Sequence, residues 1–224
     1  MDGLGNVAVL QFDVDQAALD QPIGESDLDM HVYSDCENRA SALGTIALLA
    51  VIVAIAANAL IDGFGILPAW LVSAPTVAGA FGLLYKAADK IGWRWSLLRR
   101  IGLIETPVVE GTYEGHLVSS HQNTSVPVRI RIDQTWTRIS VRFEVIEPAS
   151  STSYSVSAEL RRVGHDDARL TYTYRNQPQP GVAEDDMKGH DGTAEVTIGH
   201  ATGRVSGRYY NFRGRQGTLT LARH

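Results

Sequence analysis

The sequence predicts a membrane α-helical hairpin followed by an all-β body, a compact eight-stranded antiparallel β-barrel. Three observations carry that expectation. Residues 41–61 and 63–85 form two apolar runs without a formal charge, separated only by Asp62. Beyond Pro107 the apolar residues change their period from near 3.6 to 2. Turn-rich stretches then divide residues 105–224 into eight strand-like segments.

The chain divides accordingly into an acidic segment (1–40), the hairpin (41–85), a basic juxtamembrane linker (86–104) and the barrel (105–224). The first segment has no sustained period. Residues 1–38 hold nine acids and no Lys or Arg, and residues 7–14 suit one short strand. The remainder reads as a partly disordered acidic tail; contact with a basic partner, or with the basic linker, is the functional alternative. The net charge of −5 argues against general nucleic-acid binding, DNA included. The only cysteine, Cys36, excludes an intramolecular disulfide framework and is compatible with a reducing compartment.

Each apolar run would form a helix of roughly 30 Å, the thickness of a bilayer's hydrocarbon core. A buried hairpin in a soluble protein is the competing reading, but such helices rarely need twenty uncharged residues on every face. The short connection makes the helices antiparallel. Arg39 precedes them, Lys86, Lys90, Arg94, Arg99 and Arg100 follow, and the turn has no Lys or Arg. The positive-inside rule therefore places both chain ends in the cytoplasm. The first run starts too far along the chain for an ordinary cleaved signal and reads as a retained anchor. Ala74, Ala78 and Gly82 recur every fourth residue, as do Ala50 and Ala54, a spacing that lets helix backbones approach within the hairpin or between chains. Neither span holds Asp, Glu, Lys or Arg, so no proton relay is expected. The linker reads as amphipathic, with Ile91, Trp93, Leu97, Leu98 and Ile101 buried in the interface and cations offered to anionic lipid.

The expected strands are 111–118, 126–133, 137–145, 151–163, 169–175, 192–199, 204–211 and 217–223. Val126, Val128, Ile130 and Ile132 alternate with Pro127, Arg129 and Arg131; Ile139, Val141, Phe143 and Val145 alternate with polar neighbours. Eight strands are about the smallest barrel that can fill with side chains or hold one small ligand. Short strands in a body of about 120 residues favour this barrel over a sandwich. Arginine at outward positions makes it a soluble barrel. The long connection 176–190 reads as a lid or a disordered loop.

No nucleophile-elbow, zincin, phosphate-loop or paired-cysteine pattern is present, and the seven histidines lack metal-ligand spacing. The sequence thus gives no sign of an enzyme, a metal or a cofactor. It does concentrate hydroxyls at 151–157, tyrosines at 172 and 174, and aromatic, amide and guanidinium groups at 209–213. Cross-strand packing accounts for any one of these. Together they are what a ligand with flat rings and anionic phosphates requires.

The order of two apolar helices, Gly111-Thr-Tyr-Glu-Gly115, Gln134-Thr-Trp136, Ser153-x-Ser155, Tyr172-x-Tyr174-x-Asn176, His190-x-Gly-Thr193, Gly207-x-Tyr-Tyr210, Arg213 and Gly217-x-Leu-x-Leu221 resembles one family. It is the two-transmembrane β-barrel effector family of bacterial CBASS anti-phage systems, associated with cyclic-nucleotide-synthesising enzymes. The resemblance spans residues 41–224. It implies a multi-pass protein of the bacterial inner membrane whose cytoplasmic barrel binds a cyclic di- or oligonucleotide. Binding would drive homo-oligomerisation through the membrane helices, contact with lipid, membrane disruption and abortive infection. Tyr172, Tyr174 and Tyr210 would stack on or line the ligand, with Trp136 in the same set. Arg213 would meet phosphate, and Ser153, Ser155, Asn176, His190 and Thr193 would hydrogen-bond. Ala74, Ala78 and Gly82 would pack between copies. The alternative is a membrane-anchored, lipocalin-like barrel for a small apolar ligand, with a Leu, Val and Phe lumen and no arginine at its mouth.

Overall fold

The computed structural model describes residues 30–35, 39–62, 69–120, 124–146, 151–164, 167–178 and 189–224, without the side chains of 35, 60–62, 69–76 and 178. The expected strand at 7–14 lies outside them. Short strands β1 (His31–Val32) and β2 (Ser34–Asp35) lead into helices α1 (Arg39–Asp62) and α2 (Ala69–Lys90). A 3-10 turn (Gly92–Arg94) and the short α3 (Ser96–Arg100) follow. Eight longer strands complete the chain: β3 (Gly111–Ser119), β4 (Ser125–Gln134), β5 (Arg138–Val145), β6 (Ser151–Val163), β7 (Asp167–Pro178), β8 (His190–Gly199), β9 (Arg204–Asn211) and β10 (Gln216–Arg223).

Consecutive strands from β3 to β10 pair antiparallel, and β10 closes on β3, giving the predicted eight-stranded barrel. The β5–β6 seam is short: Arg142, Phe143 and Glu144 face Tyr154, Ser153 and Thr152, after which the strands splay. Residues 31–35, which the sequence pattern left in the acidic tail, fill that gap. His31 and Val32 pair with Ile139 and Arg138 of β5, and Ser34 and Asp35 run parallel beside Glu159 and Leu160 of β6. The Ser155 Oγ accepts the Val141 amide (2.9 Å) and contacts His31 Nε2 (2.8 Å). Ser155 thus joins the β5 backbone to the His31 ring, the ring's tautomer setting which of the two atoms is the donor. Tyr33 is 2% exposed and donates to the Trp136 carbonyl (2.9 Å).

Alternation sets the core. Val128, Ile130 and Ile132 of β4, Ile139 and Val141 of β5, Leu170 of β7 and Val196 and Ile198 of β8 all point inward. They fill the end of the barrel that holds the β4–β5 turn. On α1, Ala42, Ile46, Ala50 and Ala54 are buried at four-residue spacing, where α1 packs on α2. Leu48, Ile52 and Ile55 remain exposed. Among the described residues one helix, Arg39–Ala59, is long and apolar enough to cross a membrane. Ala78 and Gly82 are exposed, so they lie outside the intramolecular seam; the side chain of Ala74 falls outside the described set.

A second apolar cluster joins the helices to the filled end of the barrel. It contains Ala42, Ile46, Trp93, Ile104 and Trp136, with Phe81, Leu84, Tyr85 and Ala88 against it. Trp93 is therefore fully buried inside the protein and not in the membrane interface where the linker pattern put it. Asp89, near the end of α2, clamps the turn: its Oδ1 accepts from Thr137 N (2.9 Å) and Thr137 Oγ1 (2.8 Å), and its carbonyl accepts from Trp136 N (3.1 Å).

Candidate functional site

The barrel's other end is open. A cavity of about 370 Å³ lies between the inward faces of the strands, within the range of roughly 300–1,000 Å³ typical of small-molecule sites. Strand direction puts the turns before β4, β6, β8 and β10 at this mouth, on the far side from the β4–β5 turn and the helices. Leu117, Val126, Phe143 and Leu219 line its apolar part. Ser151, Asn176, His190, Asn211 and Arg215 line its polar part. No described lining residue is an acid.

Register brings three of the expected polar residues abreast. Ser153 of β6 pairs with Asn176 of β7, which pairs with His190 of β8. Asn176 Nδ2 donates to Ser153 Oγ (2.9 Å), and both side chains are buried. Two residues deeper on β7, Tyr174 sits against His190 edge-on, with ring centroids 6.4 Å apart, and beside Tyr172 at 6.3 Å. Burial pushes both phenols well above their ordinary pKa, with each neighbouring tyrosine adding to it: Tyr174 on Tyr172, and Tyr209 on Tyr174. Both hydroxyls therefore stay protonated at neutral pH and can donate to an anion.

Glycines make room for these rings. Gly192 is the cross-strand partner of Tyr174, and a Cβ there would lie 2.5 Å from Tyr174 Cζ. Gly217 is the partner of Tyr209, and its Cβ would lie 2.6 Å from Tyr209 Cε1. Each tyrosine lies across the space that a side chain on the neighbouring strand would fill. Tyr209 also meets Ser119 through its hydroxyl (2.9 Å).

Five of the expected ligand residues line the cavity: Ser153, Tyr172, Tyr174, Asn176 and His190. The structure places the other five elsewhere. Trp136 is buried in the helix–barrel junction at the opposite end. Ser155 serves the β5–β6 seam, because a bulge between Ser155 and Ser157 shifts the strand's register. Thr193 alternates with the inward Gly192 and Ala194 and so faces out. Tyr210 is 54% exposed and lies in a separate groove on the outer surface with Val118 and Arg208. Arg213 lies in the β9–β10 turn, whereas Arg215 lines the cavity.

Among the lining residues that the expected ligand set left out are Tyr209, Asn211 and Arg215. The first two were accessible by counting alternation from the inward Val205 on β9. Arg215 depends on the turn. Asn211 Oδ1 accepts from the amides of Arg213 and Arg215, both at 3.1 Å, and Gly214 takes a positive φ of 69°. That closed turn selects which arginine enters β10 facing inward, which composition alone does not encode.

A closed barrel with an aromatic, cation-bearing cavity at one end, and an apolar helix at the other, defines a ligand receptor attached to a candidate membrane anchor. Residues 104–223 match the family model described as Cap15, cyclic dinucleotide receptor domain. CD-NTase-associated protein 15 of Yersinia aleksiciae is 31% identical over 164 residues, covering 70% of this chain and 74% of that relative. The chain belongs to the Cap15 family, and is a CBASS effector whose barrel is a cyclic dinucleotide receptor domain.

Proposed function

We propose that the cavity between Ser153, Tyr174, Asn176 and Arg215 is where the cyclic dinucleotide binds, and that binding drives oligomerisation and disruption of the bacterial inner membrane. The observation that carries this reading is the joint presence, in one cavity, of a tyrosine wall, a buried amide–hydroxyl pair and a cationic residue at the mouth, with no acid among the described lining residues. Stacking offers roughly 1–3 kcal/mol per base, whereas nanomolar affinity needs about 12 kcal/mol. Two bases on Tyr172, Tyr174 and Tyr209 leave a deficit. Charge-assisted bonds from Arg215 to phosphate, with bonds from Asn176, His190 and the phenols, supply the remainder. An arginine at the mouth is what a carrier of small apolar ligands would lack.

The membrane part of the proposal makes both helices spans, with both chain ends cytoplasmic. The charge asymmetry around the hairpin supports that orientation. Ala78 and Gly82, exposed beside the α1–α2 seam, are the face that a second copy would meet, with Ala74 one turn before them. The barrel's part is recognition, with no catalytic step assigned to it.

Titration of the full chain in detergent with cyclic dinucleotides of defined base composition tests the site. Binding that weakens at least tenfold in Asn176→Ala and in Arg215→Ala, with the fold intact by circular dichroism, is the expected result. Unaltered affinity in both variants would place the ligand elsewhere. A separate assay of dye release from liposomes tests the output: Ala78→Leu should bind ligand normally and release no dye.

A further inference from the structure

Between the end of α2 and the barrel, the chain presents a face that the described residues leave uncovered. Ile91, Trp95, Leu97 and Ile101 are each between 60% and 64% exposed, although Trp93 and Leu98 of the same stretch pack inward. Lys86, Lys90 and Arg100 are exposed in the same stretch. Arg94 is held by Glu110, and Arg99 donates to the Arg94 carbonyl (3.0 Å). The face adjoins the hairpin, whose α1 exposes Leu48, Ile52 and Ile55.

We infer that residues 91–101 form a collar seated in the bilayer interface, with the anionic headgroup layer as its partner. The inference rests on the reading of α1 as a membrane span. Water disfavours four large apolar side chains grouped within eleven residues, whereas the headgroup–acyl boundary accepts both them and the basic side chains around them. The buried Trp93 acts as a rivet: it lies in one buried cluster with Trp136 and Ile104, and so fixes the collar to the filled end of the barrel. The collar therefore sets the barrel's orientation. Its filled end rests on the membrane, and the cavity mouth points into the aqueous phase, reachable by a soluble, charged ligand.

The test uses the full chain in liposomes of neutral phosphatidylcholine, with or without anionic phosphatidylglycerol. In a Cys36→Ser background, Leu48→Cys, Leu97→Cys and Thr218→Cys are labelled in turn with an environment-sensitive fluorophore. Position 218 lies on the barrel's outer wall near the mouth. Nitroxide lipids labelled near the headgroup should quench position 97 several-fold more than position 218, and more strongly with phosphatidylglycerol present. Lys90→Gln with Arg100→Gln should remove that lipid dependence. Position 48, near the middle of the span, is read with nitroxides deep on the acyl chain. Quenching at 48 by these lipids without quenching at 97 by the headgroup ones would overturn the collar while leaving the membrane span intact, and no quenching at 48 by the acyl-chain nitroxides would refute the span itself. Equal quenching at 97 and 218 would refute the stated orientation.

Discussion

Gln134, at the end of β4, offers the most direct test of how the barrel is held to the linker. Its Oε1 accepts the Val109 amide at 2.8 Å, and its Nε2 donates to the Pro107 carbonyl at 3.0 Å. Gln134 is 2% exposed and Val109 is fully buried, so the Val109 amide has no ready access to water, whereas the Pro107 carbonyl is half-buried. Gln134→Met keeps most of the volume and removes both bonds. Leaving a buried backbone group unpaired costs about 1–3 kcal/mol; with the full cost at the Val109 amide and about 1 kcal/mol at the half-buried Pro107 carbonyl, the predicted destabilisation is about 2–4 kcal/mol. For a domain of this size about 4 °C per kcal/mol applies, giving a fall in Tm of roughly 8–16 °C. The assay is thermal unfolding of the full chain in detergent, followed by tryptophan fluorescence, since Trp93 and Trp136 lie in the adjoining cluster. A loss below about 1 kcal/mol would refute the reasoning, because it would mean that these bonds are replaced without penalty.

Three further outcomes are expected. Gly192→Ala should displace Tyr174 and meet the Tyr210 carbonyl, 2.7 Å from the new Cβ, costing about 1–3 kcal/mol and weakening cyclic dinucleotide binding in the same titration; unchanged binding would remove the Tyr174 ring from the site. Asp89→Ala should leave ligand affinity within twofold but reduce dye release from liposomes, because it frees Thr137 of the β4–β5 turn from the side chain that clamps it to α2 and leaves only the bond from Trp136 N to the residue 89 carbonyl. Burial lowers the His31 pKa below its ordinary 6.5, so the folded state takes up fewer protons than the unfolded state as the pH falls past 6.5. Its contribution is present above that pH and lost below it. Denaturant midpoints should fall between pH 7 and pH 5, and His31→Gln should flatten the fall; an identical slope would exclude His31.

Much of the fold was legible because it rests on local period. Uncharged runs longer than twenty residues specify helices whatever surrounds them. The alternation of Val128, Ile130 and Ile132 with Arg129 and Arg131 specifies a one-sided strand, and eight such segments left the barrel as the compact closure. Tyr172, Tyr174 and Asn176 shared an inward face for the same reason.

What the sequence by itself determined, then, is the helices, the eight strands of the barrel proper and the side of each regular strand that faces the core. Tertiary structure alone decided the rest, because it depends on contacts between residues far apart in the chain. The β6 bulge turned Ser155 from the cavity to the seam, and the β9–β10 turn brought in Arg215 while leaving Arg213 outside. His31 and Tyr33 found the β5–β6 gap more than a hundred residues away, a pairing that no local pattern marks. Barrel closure also separated the ends. One was filled and fastened to α2 through Trp136 and Asp89, and the other was left open around Asn176 and Arg215.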